Sequence, residues 1–119
     1  MDRINLKQTD RTPNVNFDIN KGELQISGRS FPEDPRSFYK DVLENVKNVK
    51  SKLNIKLHFE YLNTSSTKVI LEMLKEAKRR NGLNVTWVSD EDDVEMAETG
   101  QYFSELADIP FNFELVPEE

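Results

Sequence analysis

Residues 57 to 77 read L-H-F-E-Y-L-N-T-S-S-T-K-V-I-L-E-M-L-K-E-A, and the rest of the chain arranges itself around them. Leu57, Phe59 and Tyr61 alternate with His58, Glu60 and Leu62, the period of a strand with one buried face. Val69, Ile70, Met73, Leu74 and Ala77 recur at the spacing of one helix face. Between them stand Asn63, Thr64, Ser65, Ser66 and Thr67, a run of small polar residues at a helix N-terminus. Such residues either cap the helix or receive a phosphate. The choice between these roles is the functional question.

Upstream, Val15, Phe17 and Ile19 alternate with polar neighbours, Asn20-Lys21-Gly22 makes a turn, and Leu24 and Ile26 alternate again. This is a β-hairpin pattern, with Gly22 suited to positive φ. Residues 3 to 8 add a short edge strand. Asp34 and Pro35 open a first helix as N-cap and first-turn residue, with Phe38, Val42, Val46 and Val49 on one stripe and Tyr39 and Leu43 beside it. The second helix ends at Arg79-Arg80-Asn81-Gly82, where Gly82 is expected directly after the cap. Val85, Trp87 and Val88 form a further strand. Asp90 to Asp93 then open a third helix carrying Val94, Ala97, Phe103 and Leu106 on its apolar face. Gly100 lies inside it, costing about 1 kcal/mol relative to Ala unless close packing requires the small residue. Phe111, Phe113 and Leu115 alternate as a last strand before an acidic tail expected to fray. The expected fold is α/β, one domain over residues 1–119. An N-terminal hairpin precedes α-β-α-β-α-β, and the sheet is mixed, mainly parallel, with helices packed on it.

Composition limits the function classes. The 119 residues suffice for one core, and no run approaches the ~20 apolar residues of a membrane span. The first residues show no apolar leader, and the absence of Cys fits a reducing compartment, so the expected location is the cytoplasm. A net charge of −6 disfavours nucleic acid, whose phosphates require clustered cations. Ten of the sixteen basic residues lie between 40 and 80, whereas 90 to 98 read D-E-D-D-V-E-M-A-E.

Little here could carry catalysis. His58 is the single histidine and lies mid-strand; the four glycines are isolated, so no phosphate-binding loop exists. The carboxylates of Asp90, Glu91, Asp92, Asp93, Glu95 and Glu98 are the one group suited to a hard cation, but their spacing matches no calcium loop. No cofactor and no metal are expected. A Mg²⁺-dependent enzyme using Asp90–Asp93 stays as the alternative of a different class.

Several motifs together resemble a known family. The hairpin leads into G-x-S-F-P-E (Gly28, Ser30, Phe31, Pro32, Glu33), then Phe38-Tyr39, then F-x-Y-x-N-T-S-S from Phe59 to Ser66, then the acidic stretch from Asp90 to Gly100. In this order they resemble the SiaC-family regulatory phosphoproteins, small bacterial domains of STAS-like fold. The resemblance implies a non-enzymatic partner switch. A dedicated kinase phosphorylates a Thr or Ser at the start of the helix after the central strand, and a PP2C-type phosphatase reverses it. The unphosphorylated form binds and activates a diguanylate cyclase, promoting cyclic-di-GMP signalling and biofilm formation. By that likeness Asn63 takes the position before the acceptor, Thr64 is the acceptor and Ser65 the runner-up. The expected partner surface comprises Asn63, Ser65 and Ser66, joined by Asp92 and Asp93. An antagonist that binds an anti-sigma kinase instead would use nearly the same residues.

Overall fold

The computed structural model describes residues 2–80 and 82–117; Met1, Asn81, and the tail residues Glu118 and Glu119, where fraying was expected, lie outside them. The elements follow one another as β1 (Arg3–Leu6), β2 (Asn14–Asp18), β3 (Glu23–Ser30), α1 (Pro35–Val46), β4 (Leu53–Leu62), α2 (Thr64–Lys78), β5 (Leu83–Asp90), α3 (Val94–Ala107) and β6 (Asn112–Val116). All six strands join one sheet in sequence order. β1, β2 and β3 pair antiparallel, and β3 through β6 pair parallel. Three successive parallel connections that advance in one direction with the same hand place all three helices on one face. The strand burial agrees: Leu24 and Ile26 in β3, Leu53, Ile55, Leu57 and Phe59 in β4, and Val85 and Trp87 in β5 are buried on that side. The other face is open and mostly polar.

The hairpin, the strand–helix unit of residues 57–77 and the Asp34-Pro35 helix start form as expected. Gly22 turns the hairpin at φ +70°, where an added Cβ would lie 2.9 Å from Ser51 Oγ and collide with the backbone of Lys52. Gly82 does not directly follow the second helix's cap: the cap is Arg79, and Gly82 accepts the Leu53 amide at 2.9 Å.

Three expected burial patterns change. In α1 the core residue is Tyr39, 1% exposed, while Phe38 only packs against it. In α3 the buried face is Met96, Gly100, Phe103 and Ala107, whereas Val94 and Leu106 are exposed. The reason is Trp87, whose indole lies under α3 and donates from Nε1 to the Met96 carbonyl at 3.0 Å. Only the face carrying Gly100 can approach that ring. β5 also runs through Asp90, so α3 starts later than the acidic run suggested, with Asp93 as its N-cap.

The third change is in β4. Gly28 pairs with Phe59 and Arg29 pairs with Tyr61, so Glu60 has no partner residue in β3. This β-bulge reverses the strand's alternation and turns Tyr61 away from the helices, leaving it 49% exposed. Gly28 adopts φ +111° at the irregularity, a conformation few other residues tolerate.

Candidate functional site

The polar run N-T-S-S-T divides into residues that build the helix and residues that face solvent. Asn63 is the N-cap: its Oδ1 accepts the Ser66 amide at 2.9 Å, and its own N–H donates to the Ser30 carbonyl at 3.1 Å. One cap of this type is worth ~1 kcal/mol over Ala. The Thr67 hydroxyl donates back to the Asn63 carbonyl at 3.1 Å. Ser66, placed by its sequence position on the expected partner surface, is 0% exposed and cannot touch a partner. It lies at 2.9 Å from Ser30 Oγ, and Ser30 Oγ lies at 2.7 Å from the Tyr39 hydroxyl. Ser30, Tyr39 and Ser66 thus form a buried chain of hydroxyls joining β3, α1 and α2, because inward polar groups must find partners in each other.

Thr64 and Ser65 remain. Both are exposed, and their hydroxyls and backbone amides have no partner among the described residues. They occupy the first two helical positions, where amides point outward and the helix dipole favours negative charge. No acidic side chain stands in this first turn, and Lys68 is exposed one turn further on. The geometry is suited to receive a phosphate on either hydroxyl and presents both to an enzyme.

The remaining site residues lie along the same sheet edge. Asp92 is exposed; Asp93 is half-buried and occupied as the α3 cap, accepting the Met96 amide at 3.0 Å. Among the described residues no hydrogen bond or ion pair joins Asp92 or Asp93 to the start of α2. Asp90 faces the open side of the sheet, where its Oδ1 is 3.0 Å from His58 Nε2. The carboxylates of 90–93 therefore diverge, and among the described residues no cluster of three acidic or His side chains could hold a metal ion. No described helix is long and apolar enough to cross a membrane.

Two features of the site were invisible as spacing. One is the hydroxyl chain, whose members come from three distant segments. The other is the clamp between α1 and α2, where Arg36 donates to Glu72 through both guanidinium nitrogens at 2.6 and 3.2 Å. That pairing raises the Arg36 pKa and lowers that of Glu72, chiefly through the hydrogen bond.

Tyr39 titrates abnormally: burial pushes its phenol up to about 12, only partly countered by the Ser30 hydrogen bond. The ordinary value is near 10, so the unfolded chain loses this proton first. Stability from Tyr39 is therefore complete below pH 10 and is lost as pH rises towards 12, by about 2–3 kcal/mol. Urea titrations at stepped pH should show this loss, and Tyr39→Phe should remove that component of the alkaline slope.

With the fold and the exposed hydroxyls in place, comparison with known proteins is informative. The model of the SiaC family regulatory phosphoproteins matches residues 6–116. The chain belongs to this family. It is 29% identical to an uncharacterized protein of Pseudomonas aeruginosa (strain UCBPP-PA14), over 93% of this chain and 94% of that one. Its fold is similar to SiaC of Pseudomonas aeruginosa, with TM-score 0.79 and 29% identity over 99% of this chain and 100% of that one. It is also similar to a chain from the crystal structure of the diguanylate cyclase SiaD in complex with its activator SiaC, from the same organism. The TM-score there is 0.86, with 25% identity over 95% of this chain and 99% of that one.

Proposed function

We propose that this protein is a non-enzymatic regulatory switch, acting as one module, that binds and activates a diguanylate cyclase when unphosphorylated. Phosphorylation of Thr64, with Ser65 as the second candidate, releases the partner. The observation that carries this reading is the pair of exposed, unpartnered hydroxyls at the start of α2, in a family of regulatory phosphoproteins. The SiaC seen with the cyclase SiaD supports the choice of partner. A kinase and a PP2C-type phosphatase would set the phosphorylation state of this cytoplasmic switch.

A phosphate adds about −1.5 to −2 charges and three acceptor oxygens at the free amides of Thr64 and Ser65. These amides and Lys68 hold it without refolding the domain. It changes the surface that a partner meets, on an edge where Asp92 is already exposed. A second reading, an antagonist of an anti-sigma kinase, uses the same residues with a different partner. The Mg²⁺-enzyme alternative lacks a common centre among the described residues, because Asp90 pairs with His58 and Asp93 caps α3.

Two measurements test the proposal. Phosphosite mapping after expression in the native host should find the phosphate on Thr64 or Ser65. Thr64→Glu should weaken cyclase binding by about tenfold or more in titration calorimetry. Wild-type affinity in the Thr64→Glu protein, together with a phosphate mapped elsewhere, would overturn it.

A further inference from the structure

The bulge in β4 brings together three side chains that no role described so far explains. Tyr61 is 49% exposed, and its ring meets Phe31 edge-on at 5.6 Å between centroids, with 83° between planes. The Arg29 guanidinium sits 5.7 Å from the centre of the Phe31 ring. Arg29 is exposed and makes no ion pair among the described residues. A regular strand would have buried Tyr61 beneath the helices, as the alternation of Leu57 and Phe59 requires. Exposing a tyrosine by a bulge forgoes that burial, and bulges beside functional sites commonly re-aim a side chain in this way.

We propose that Arg29, Phe31 and Tyr61 form the anchor by which this protein holds the diguanylate cyclase; this rests on the switch reading above. Tyr and Arg are the residues most enriched among interface hot spots, and an edge-on aromatic pair supplies apolar area with little entropy to lose. The uncompensated Arg29 states the complement: the cyclase segment presents an apolar side chain to the two rings and a carboxylate to the guanidinium. Location connects the anchor to the switch. Tyr61 lies three residues before Thr64 in the chain, and the Ser30 carbonyl, between Arg29 and Phe31, accepts the amide of the cap Asn63. A phosphate on Thr64 acts on this anchor in two ways with one sign. It repels the incoming carboxylate, and it offers Arg29 a counter-charge inside the protein.

The test uses the full chain and the cyclase of the same host in titration calorimetry. Tyr61→Ala and Arg29→Glu should each weaken binding about tenfold or more, with melting temperatures close to wild type because both side chains are exposed. Tyr102→Ala, which removes a still more exposed aromatic from α3, should leave the affinity unchanged. Raising the salt concentration should weaken the wild type more than Arg29→Ala, the mark of a lost ion pair. Should Tyr61→Ala prove unstable, Arg29→Glu and the salt series decide alone. If wild type binds and both anchor variants bind equally well, the anchor is wrong while the cyclase reading stands. If wild type itself fails to bind the cyclase, both fall.

Discussion

Gly100→Ala is expected to destabilise the protein by about 3 kcal/mol, although the same change in an exposed helix would stabilise it by about 1 kcal/mol. An alanine Cβ at this position would stand 2.5 Å from Trp87 Nε1 and 2.6 Å from Cγ, with Cδ1 also inside contact distance. Relief would need the indole or the helix to move, and neither is free. Trp87 is 0% exposed and tied to the Met96 carbonyl. Phe103 packs against it at 5.1 Å between ring centroids, Phe59 at 5.9 Å, and Phe111 stacks at 6.3 Å. Shifting the helix instead would disturb Met96, Phe103 and Ala107 together. In thermal melts the variant should unfold roughly 10 °C below wild type, given a few degrees per kcal/mol at this chain length. A melting temperature at or above wild type would show that α3 stands far enough from Trp87 to admit a methyl group.

The position of Gly100 also shows which parts of the fold the amino-acid sequence reveals. The hairpin, the apolar face of α2 and the capped start of that helix depend on residues at most a few turns apart, so periodicity and local hydrogen bonding suffice to find them. The phase of α3 does not. Val94 and Leu106 suggest a buried face by their hydrophobicity, but the true face is chosen by a contact with Trp87 on another element. Tyr61 is misplaced for a similar reason, since the bulge that exposes it is a property of register against Gly28 and Arg29. The candidate site divides along the same line. That N-T-S-S-T starts and caps a helix follows from residue types, whereas the choice of Asn63 as the cap is seen in its bond to the Ser66 amide. That Ser66 is buried while Thr64 and Ser65 are not follows only once Ser30 and Tyr39 are brought beneath the helix. The family resemblance points to this run of hydroxyls; within it, tertiary contacts exclude Ser66 from the surface, and a local bond to the Asn63 carbonyl engages Thr67.

That exclusion has a measurable consequence at Ser66. Ser66→Asp should cost about 3–5 kcal/mol of stability, whereas Thr64→Asp and Ser65→Asp should cost nothing or raise stability by up to about 1 kcal/mol. The three positions are consecutive, so helix propensity cannot explain the difference. At Thr64 and Ser65 a carboxylate faces solvent, meets free amides and complements the helix dipole. At Ser66 it would enter a space that is 0% exposed, opposite Ser30 and the Tyr39 phenol, with no cation among its hydrogen-bond partners. Two hydroxyls can solvate part of the charge but cannot neutralise it, and the longer side chain must also displace them. Ser66→Ala separates these contributions: it removes one hydrogen bond and leaves Ser30 its bond to Tyr39, for a loss of about 1–2 kcal/mol. Denaturant titrations of the four variants therefore rank the hydroxyls without any kinase or partner. If Ser66→Asp is as stable as Ser65→Asp, the buried chain of hydroxyls does not exist, and Ser66 returns to the expected partner surface. If it collapses as expected, a kinase can reach Ser66 only by unwinding the first turn of α2, which leaves Thr64 and Ser65 as the exposed hydroxyls of the run.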